Sequence, residues 1–377
     1  MTPERSIIAP ARRTRGGFTL AELLVSISVI ALLVFMFAQL MTSATAITRT
    51  GNKHFDTDTQ ARVVLDRMAL DFAQMVKRTD VDYYIKQPNK YNGHGNGHGC
   101  GQGKNGDKGS DQIAFYSMVP GYYPSATAAE QSPISLVAYR VNEGAPTSDR
   151  YGRLERMAKG LRWNGVDNST GNSATYPIVF ATGQFPGGNQ GSCPYAGTTG
   201  PWAARSPGWS AAICNDNGNW SQDPDYEVIG PGVFRFEYYY LLKNGRVTDW
   251  PWDRFDENPP RNTIYDPAPG IGLSRLRAIA VSIAVIDPAS RALIQAAYGN
   301  GTTGYGDILD LASELPDFKN SCGQGNGQRA IGSLELQWKG VIESVARTGQ
   351  TPQGKKIPPE AAKGIRVYNR YFDLKAW

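Results

Sequence analysis

The most prominent pattern in the chain is an apolar run from Phe18 to Met41. Beyond Glu22, no residue of this run carries a charge. As a helix it would be about 36 Å long, which exceeds the roughly 30 Å thickness of a bilayer's hydrocarbon core. Three arginines precede it, at positions 12, 13 and 15, and basic residues favour the cytoplasmic side. The pattern predicts one membrane-spanning helix with the rest of the chain outside the cytoplasm.

A second helical pattern follows from Asp58 to about Val76. Apolar residues recur there at steps of three and four: Ala61, Val64, Leu65, Met68, Phe72, Met75 and Val76. We assign Arg62, Asp66, Arg67 and Asp71 to the opposite, solvent-facing side. Thr50-Gly51-Asn52, between the two patterns, is a candidate kink or melted segment. Residues 42–78 are therefore predicted to be an amphipathic continuation of the first helix, packed on a sheet.

Most of the remaining chain alternates as β-strands do. The predicted strands are Gln112–Tyr116, Ile134–Val141 with Gly152–Met157 as its hairpin partner, Pro177–Ala181, Gly232–Tyr240 leading to a turn at Asn244-Gly245, Leu276–Ile286 as the central strand, and Gly364–Phe372. A helical insertion at 288–347 contains Ala289–Ala297, Asp307–Leu315 and Leu334–Val345. We predict an α+β fold, in which a long N-terminal transmembrane and amphipathic helix packs on a mainly antiparallel β-sheet head with extra loops and short helices.

The net charge of +5 gives no reason to expect nucleic-acid binding. Residues 1–17 hold four arginines and a single acid, Glu4, so most of the excess belongs to this segment. The sequence contains no G-x-S-x-G, H-E-x-x-H or C-x-x-C motif, and only three histidines. We therefore predict no catalytic residues and no cofactor.

Two groups of residues could bind a ligand. His94, His98 and Cys100 lie in a Gly/Asn-rich stretch and could bind a metal ion, but no second ligand pair is nearby, and we predict no metal site. Several tryptophans, Trp202, Trp209, Trp220, Trp250 and Trp252, could form a sugar- or partner-binding surface or pack the loops against the sheet.

The position of Glu22 calls for an explanation, because a carboxylate in a membrane span costs about 2.5–3.5 kcal/mol. The stretch Gly17-Phe18-Thr19-Leu20-Ala21-Glu22 resembles the processing site of type IV pilin-like proteins, including the pseudopilins of type II secretion. The resemblance implies cleavage between Gly17 and Phe18 by a prepilin peptidase and N-methylation of Phe18. It also implies an assembly role for Glu22, whose carboxylate pairs with the terminal amine of a neighbouring subunit.

The body resembles two groups of pilin-like proteins more loosely. Leu70-Asp71-Phe72, Val137–Val141 with Leu154–Arg156, Gly232-Val233 and the strand from Leu276 are similar to the J-type minor pseudopilin of type II secretion. The helical insertion and the last strand, Arg366–Phe372, are more similar to the Verru_Chthon cassette protein C group.

The resemblance implies four regions: a cleaved basic leader (1–17), a transmembrane and filament-core helix (18–41), its amphipathic continuation (42–78) and an extracytoplasmic β-rich head (79–377). It implies a minor subunit near the tip of a pilus or pseudopilus, held in the bacterial inner membrane with its head in the periplasm or on the cell surface. Its partners would be the prepilin peptidase and other pilin or pseudopilin subunits, reached through the N-terminal helix. The alternatives are a membrane-anchored extracytoplasmic enzyme or carbohydrate-binding protein that uses the N-terminus only as a signal anchor, and a cleaved secretory signal peptide.

Four cysteines suit two disulfides in an oxidising compartment. Cys100 and Cys322 each begin a Cys-Gly-Gln-Gly sequence, and Cys193 and Cys214 lie in one loop-rich region. We expect the pairs Cys193–Cys214 and Cys100–Cys322.

Overall fold

The computed structural model describes residues 17, 19–77, 87–88, 109–122, 131–144, 146–160, 226–248, 276–299, 304–318 and 332–374. The chain divides into two compact units, Met1–Asn52 and Lys53–Trp377. The bounds of the four regions drawn from the sequence stay a prediction.

The first helix, α1, runs from Leu20 to Ala73 without interruption. Residues 50–52, the candidate kink or melted segment, are therefore helical. In the second unit, the predicted apolar stripe of α1 is buried: Ala61, Val64, Met68 and Phe72 are each at most 1% exposed. One assignment to the opposite side is wrong, because Asp71 is fully buried. The side-chain contacts that bury it are described below.

The first sheet of the head has seven strands. They are β1 (Gln87–Pro88), β2 (Asp111–Ser117), β3 (Gly121–Tyr122), β4 (Gln131–Ser132), β5 (Ser135–Val141), β6 (Leu154–Gly160) and β7 (Tyr226–Gly230). The order is β1-β2-β5-β6-β3-β4, with β7 also paired to β6. The predicted hairpin of β5 and β6 is confirmed, since Val141 lies opposite Leu154 in an antiparallel ladder. Strand β7 was not predicted.

The second sheet has four strands in the order β11-β10-β8-β9. They are β8 (Val233–Leu242), β9 (Val247–Thr248), β10 (Leu276–Ile286) and β11 (Ile365–Asp373). All three pairings are antiparallel. The prediction that Leu276–Ile286 is a central strand is confirmed, because β10 lies between β8 and β11 and every residue except Arg277 is buried.

Four helices follow β10: α2 (Pro288–Gly299), α3 (Ile308–Glu314), α4 (Ser333–Thr348) and the short α5 (Pro359–Ala362). The first three confirm the predicted helical insertion. Helix α3 begins with a capping box, in which the side chains of Asp307 and Asp310 each accept a hydrogen bond from the other residue's backbone N–H. Helix α4 ends at Gly349, whose φ of 71° suits glycine at a helix C-terminus.

Phe72 of α1 joins the helix to both sheets. Its ring centroid lies 5.0 Å from that of Phe115 on β2 and 5.2 Å from that of Phe372 on β11. These contacts place the buried face of α1 against the two sheets in a single hydrophobic core. The predicted α+β architecture, with a long helix packed on antiparallel sheets, is confirmed. The predicted strand Pro177–Ala181 lies outside the described residues.

Candidate functional site

The N-terminal end of α1 is closed by a reciprocal pair of hydrogen bonds. The Thr19 hydroxyl oxygen accepts from the Glu22 backbone N–H at 3.3 Å, and Glu22 Oε2 accepts from the Thr19 backbone N–H at 2.9 Å. The Thr19 hydroxyl also donates to Glu22 Oε2 at 2.9 Å. This capping box satisfies two of the backbone N–H groups that a helix leaves free at its start. The carboxylate thus has local hydrogen bonds, yet Glu22 remains exposed for another partner.

The segment after Glu22 is suited to hydrocarbon along its whole surface. Among the described residues, one helix, α1, is long and apolar enough to cross a bilayer, and its most apolar stretch has no buried residue. The hydroxyls of Ser26 and Ser28 each donate at 2.7 Å to the carbonyl four residues earlier. Backbone acceptors therefore satisfy these side chains without water.

The structure places only some of the predicted site residues. Gly17 is described, and it is exposed, with no atom within 4 Å of where a β-carbon would lie. Several predicted site residues lie outside the described residues: Phe18, His94, His98 and the four cysteines. The N-methylation and both disulfide pairs therefore stay predictions. Within the described ranges, no group of three His, Cys, Asp or Glu side chains is arranged to hold a metal ion.

A buried ionic cluster connects α1 to the first sheet. Arg156 on β6 donates from Nε and Nη2 to the two oxygens of Asp71 at 2.7 and 3.0 Å. Tyr139 on β5 donates its hydroxyl to the same carboxylate. Burial and the charge of Asp71 raise the pKa of the Tyr139 hydroxyl, so this group stays protonated as a donor. One carboxylate thus joins the helix to two strands of the sheet.

Sequence reasoning missed this cluster although a signal was present. Val64, Met68, Asp71 and Met75 follow one another at steps of four, three and four, which is the spacing of one helix face. Asp71 was assigned to solvent because it is charged, but its position in the repeat places it on the buried stripe.

A second buried cluster connects β8 to the segment after α3. Arg235 forms an ion pair with Asp317 and lies 3.4 Å from Glu237. Its guanidinium carbon is 5.6 Å from the centre of the Trp338 ring on α4. The Phe318 backbone N–H donates to Glu237 Oε1 at 3.0 Å, which fixes the exit of this segment on the strand.

Glu143, at the exit of β5, lies beside this cluster. One carboxylate oxygen accepts from the Ser110 backbone N–H at 3.1 Å, and the other is buried. Burial raises the pKa of Glu143 to about 8, and the hydrogen bond from Ser110 and the charge of Arg235 only partly oppose the effect. Glu143 is therefore mostly protonated at neutral pH.

A third buried cation holds α2 in place. Arg291 donates from Nη1 to the Gly152 carbonyl at 3.0 Å and from Nη2 to the Tyr151 carbonyl. Burial, followed by repulsion from Arg153, lowers the pKa of Arg291 to about 10. The Tyr151 hydroxyl in turn donates to Asp307 at 2.6 Å. The helical insertion is thus connected to the first sheet by hydrogen bonds from a buried side chain.

Two comparisons with known proteins bear on the family of the chain. Residues 12–38 match the family profile of the prokaryotic N-terminal methylation motif. A search of curated proteins finds no match for the chain. The motif supports a type IV pilin- or pseudopilin-like protein of the kind that prepilin peptidase processes, and it agrees with membrane anchoring by the apolar part of α1.

Proposed function

We propose that this chain is a minor pilin- or pseudopilin-like subunit that is cut between Gly17 and Phe18, methylated on Phe18 and assembled into a pilus or a type II secretion pseudopilus. The observation that carries the proposal is the methylation motif at residues 12–38, followed without interruption by α1. The role is structural: the helix joins a bundle of similar helices, and the head is displayed at or near the tip.

Charged groups near the N-terminus explain the proposed processing and assembly steps. Before cleavage, the arginine-rich leader keeps its end of the helix on the cytoplasmic side. Hydrolysis of the Gly17–Phe18 bond removes those charges and leaves a new amine at Phe18. In a bundle of such helices, an amine in hydrocarbon needs an anionic partner. Glu22 of a neighbouring subunit can supply it, because its carboxylate is exposed at the same end of the helix.

The proposed location is the bacterial inner membrane, with residues 18–41 in the bilayer, 42–78 as the amphipathic part of the helix and 79–377 as a periplasmic or surface head. A head of this size favours a minor subunit, because repetition of so large a body along a filament would crowd it. The proposed partners are the prepilin peptidase and other pilin or pseudopilin subunits.

Mass spectrometry of the native N-terminal peptide tests the processing step. We expect a mature chain that begins with N-methylated Phe18. A chain that keeps residues 1–17 would contradict the proposal and favour a signal-anchored enzyme or carbohydrate-binding protein instead.

The Glu22→Ala variant tests the assembly step. We expect normal insertion in the membrane but loss of incorporation into the filament fraction, measured by shearing and immunoblotting. The control is Glu4→Ala, which removes an acid from the leader and should assemble normally. Normal incorporation of Glu22→Ala would rule out the proposed assembly contact.

A further inference from the structure

Helix α1 enters the head at one end. Lys53 is the first residue of the unit Lys53–Trp377. Strand β11 runs along α1 from that end: Arg366 contacts His54, Tyr368 contacts Thr57, and the Phe372 ring lies against that of Phe72. The start of β11 therefore lies where α1 enters the head, and the end of β11 lies farther along the helix.

The insertion helices gather at this same end. Strand β10 is antiparallel to β11, with Ile286 opposite Ile365, so α2 begins there. Lys53 confirms the position, because its Nζ donates to Ser290 Oγ on α2 at 3.1 Å. Helix α5 directly precedes β11. The C-terminal end of α4 joins them, since the Ile357 backbone N–H donates to the Gly349 carbonyl at 2.9 Å.

The outer face of α2 is apolar although it is exposed. Its buried side consists of Ser290, Arg291 and Ile294. Its exposed residues carry no charge, and they are Pro288, Ala289, Ala292, Leu293, Gln295, Ala296, Tyr298 and Gly299. Leu293 is 45% exposed. The one charged residue of α2, Arg291, thus lies on the buried side, whereas an ordinary surface helix turns its charged residues to solvent. An apolar environment in contact with the exposed side of α2 would explain this arrangement.

Exposed cations adjoin this face. The segment 347–366, which connects α4 to β11, contains five basic residues and one acid. Lys355, Lys356 and Lys363 are among its exposed side chains. At the same end, α1 contributes Lys53 together with the exposed acids Asp56 and Asp58. These two described stretches together hold six basic and three acidic residues.

We call this region the basal surface; it comprises Ala289, Ala292 and Leu293 of α2 with Lys355, Lys356 and Lys363. We infer that the basal surface rests on the anionic phospholipid headgroups of the membrane in which the chain is anchored. Residues 42–52 are the whole connection between the apolar run and Lys53, and as a helix they are about 17 Å long. This short connection keeps Lys53, the first residue of the head, within about 17 Å of the apolar run.

The chemistry of the surface matches that of a membrane interface. Apolar side chains with neighbouring lysines are the composition of helices that lie at the headgroup boundary. Anionic lipids attract basic segments within about a Debye length, roughly 8–10 Å at moderate salt. In the membrane-anchored state the contact would hold the head down, and extraction of the helix during assembly would release it. The inference thus rests on the proposed membrane anchoring.

The test uses the full chain reconstituted as a single copy per nanodisc, with zwitterionic lipid alone or with added phosphatidylglycerol. Hydrogen–deuterium exchange is followed in peptides from α2 and from residues 347–366. We expect exchange several-fold slower in the anionic discs than in detergent or in zwitterionic discs, and loss of the difference at high salt. Equal exchange in all three environments would overturn the inference.

Two pairs of variants separate the contact from general effects on the head. Leu293→Glu should abolish the slower exchange of α2, whereas Leu336→Glu, which changes an exposed leucine on α4, should not. Lys355→Glu should weaken the effect, whereas Lys243→Glu, in the turn after β8 at the opposite end of the sheet, should leave it intact. Equal effects of the paired variants would contradict the inference.

The same experiment reports the anchoring separately. Peptides within Leu20–Met41 should exchange slowly in every disc. If they do and α2 is not protected, only the basal contact fails. If they exchange freely, the proposed anchoring fails and the inference fails with it. Protection of α2 that appears only with several copies per disc would show that another copy covers the surface, which also overturns the inference.

Discussion

Asp71 illustrates how one charged residue can determine the position of a helix. It is fully buried, and it accepts hydrogen bonds from Arg156 and from Tyr139 on neighbouring strands. A buried ion pair adds little net stability, because desolvation offsets the attraction, but removal of one partner leaves a charge uncompensated. The cluster therefore favours one register of α1 on the sheet over alternatives that would leave Arg156 unpaired.

Asp71→Asn should lower the free energy of unfolding of the head by about 3–5 kcal/mol. Arg156 would keep its buried charge with only the exposed Glu227 carboxylate, 3.7 Å away, as an anionic partner. Chemical denaturation in mild detergent, followed by tryptophan fluorescence, measures the change. The control is Asp66→Asn on the same helix, which breaks only the exposed pair with Arg370 and should cost less than about 1 kcal/mol. Equal losses in the two variants would show that the buried cluster has no special role.

Glu143 makes the folded state less stable as the pH rises, whereas a salt-bridged acid makes it more stable. Its pKa is raised from 4.5 to about 8 in the folded chain. Between these values the folded state binds a proton that the unfolded state releases. The stability that the Glu143 proton contributes to the folded state is therefore fully present below the pKa of the unfolded state. It is lost as the pH rises through about 8.

We expect the melting temperature of the wild-type chain to fall between pH 5 and pH 8.5 by more than that of Glu143→Gln, since the glutamine cannot titrate. The difference corresponds to a few kcal/mol at most, about 1.4 kcal/mol for each pH unit over which the proton is retained. Thermal scans of both proteins in the same buffers give the comparison. Parallel pH profiles for the two proteins would contradict the raised pKa.

At the scale of elements, α1 combines two helices that differ in their surroundings. Its first part is apolar around its whole circumference, whereas the part within the head is apolar on one face. Continuous backbone hydrogen bonding passes through Gly51 and Asn52. These residues are weak helix formers, but the cost of about 1 kcal/mol for a helical glycine is small compared with the energy of packing on either side.

The glycines of the other elements differ in what surrounds them. Gly340 lies in the interior of α4, and a β-carbon there would meet nothing within 4 Å. Gly232 lies in the turn before β8, where a β-carbon would be 2.4 Å from the Ile286 carbonyl oxygen and 2.5 Å from Gln60 Oε1. The first glycine is replaceable, whereas the second permits the turn to approach α1 and β10.

Gly340→Ala should therefore raise the free energy of unfolding by about 0.5–1 kcal/mol, because alanine restricts the unfolded chain and favours the helix. Gly232→Ala should lower it by about 1–3 kcal/mol, because the strand and the helix must move apart. Urea titrations of the two variants beside the wild type measure both effects. A loss of stability in Gly340→Ala would mean that a neighbour lies closer to α4 than the described residues show.

At the scale of the whole molecule, β8 is the meeting point of distant segments. The Ser110 hydroxyl accepts from the Phe236 backbone N–H at 3.3 Å, and Asp111 accepts from the Tyr238 backbone N–H at 3.1 Å. Phe318 is held at Glu237 on the same strand. Ser110 and Asp111 on one side of the sequence and Phe318 on the other are therefore anchored on the same strand, β8.

All four cysteines lie outside the described residues, so the pairs Cys100–Cys322 and Cys193–Cys214 stay a prediction from the sequence. Peptide mapping of the purified full chain under non-reducing conditions should recover both linked pairs. Reduction should lower the stability of the head, by about 3 kcal/mol for a closed loop of roughly 20 residues. Four free thiols, or a link between Cys100 and Cys193, would refute the pairing.

The local elements could be predicted from the sequence because their signals are local. The apolar stripe of α1, the alternation in β5 and β10 and the three insertion helices each occupy the predicted stretch. Strand β7 was missed, since its five residues, Tyr226–Gly230, follow a long stretch rich in turn residues and acquire strand structure only by pairing with β6. The candidate site divides in the same way: the motif around Gly17 and Glu22 is contiguous, but the capping bonds between Thr19 and Glu22 required coordinates.

The sequence by itself determined the apolar span, the arginines that precede it, the methylation motif and most helices and strands, because each depends on residues close together in the chain. Only the tertiary structure decided which charged residues are buried. Asp71, Arg156, Arg235 and Arg291 have the composition of surface residues, and their partners lie far away in sequence. It also brought α2 and residues 347–366 to the end of the head that α1 enters. The physical reason is the same in both cases: burial and proximity are set by how the two sheets pack on the helix, and no local pattern encodes them.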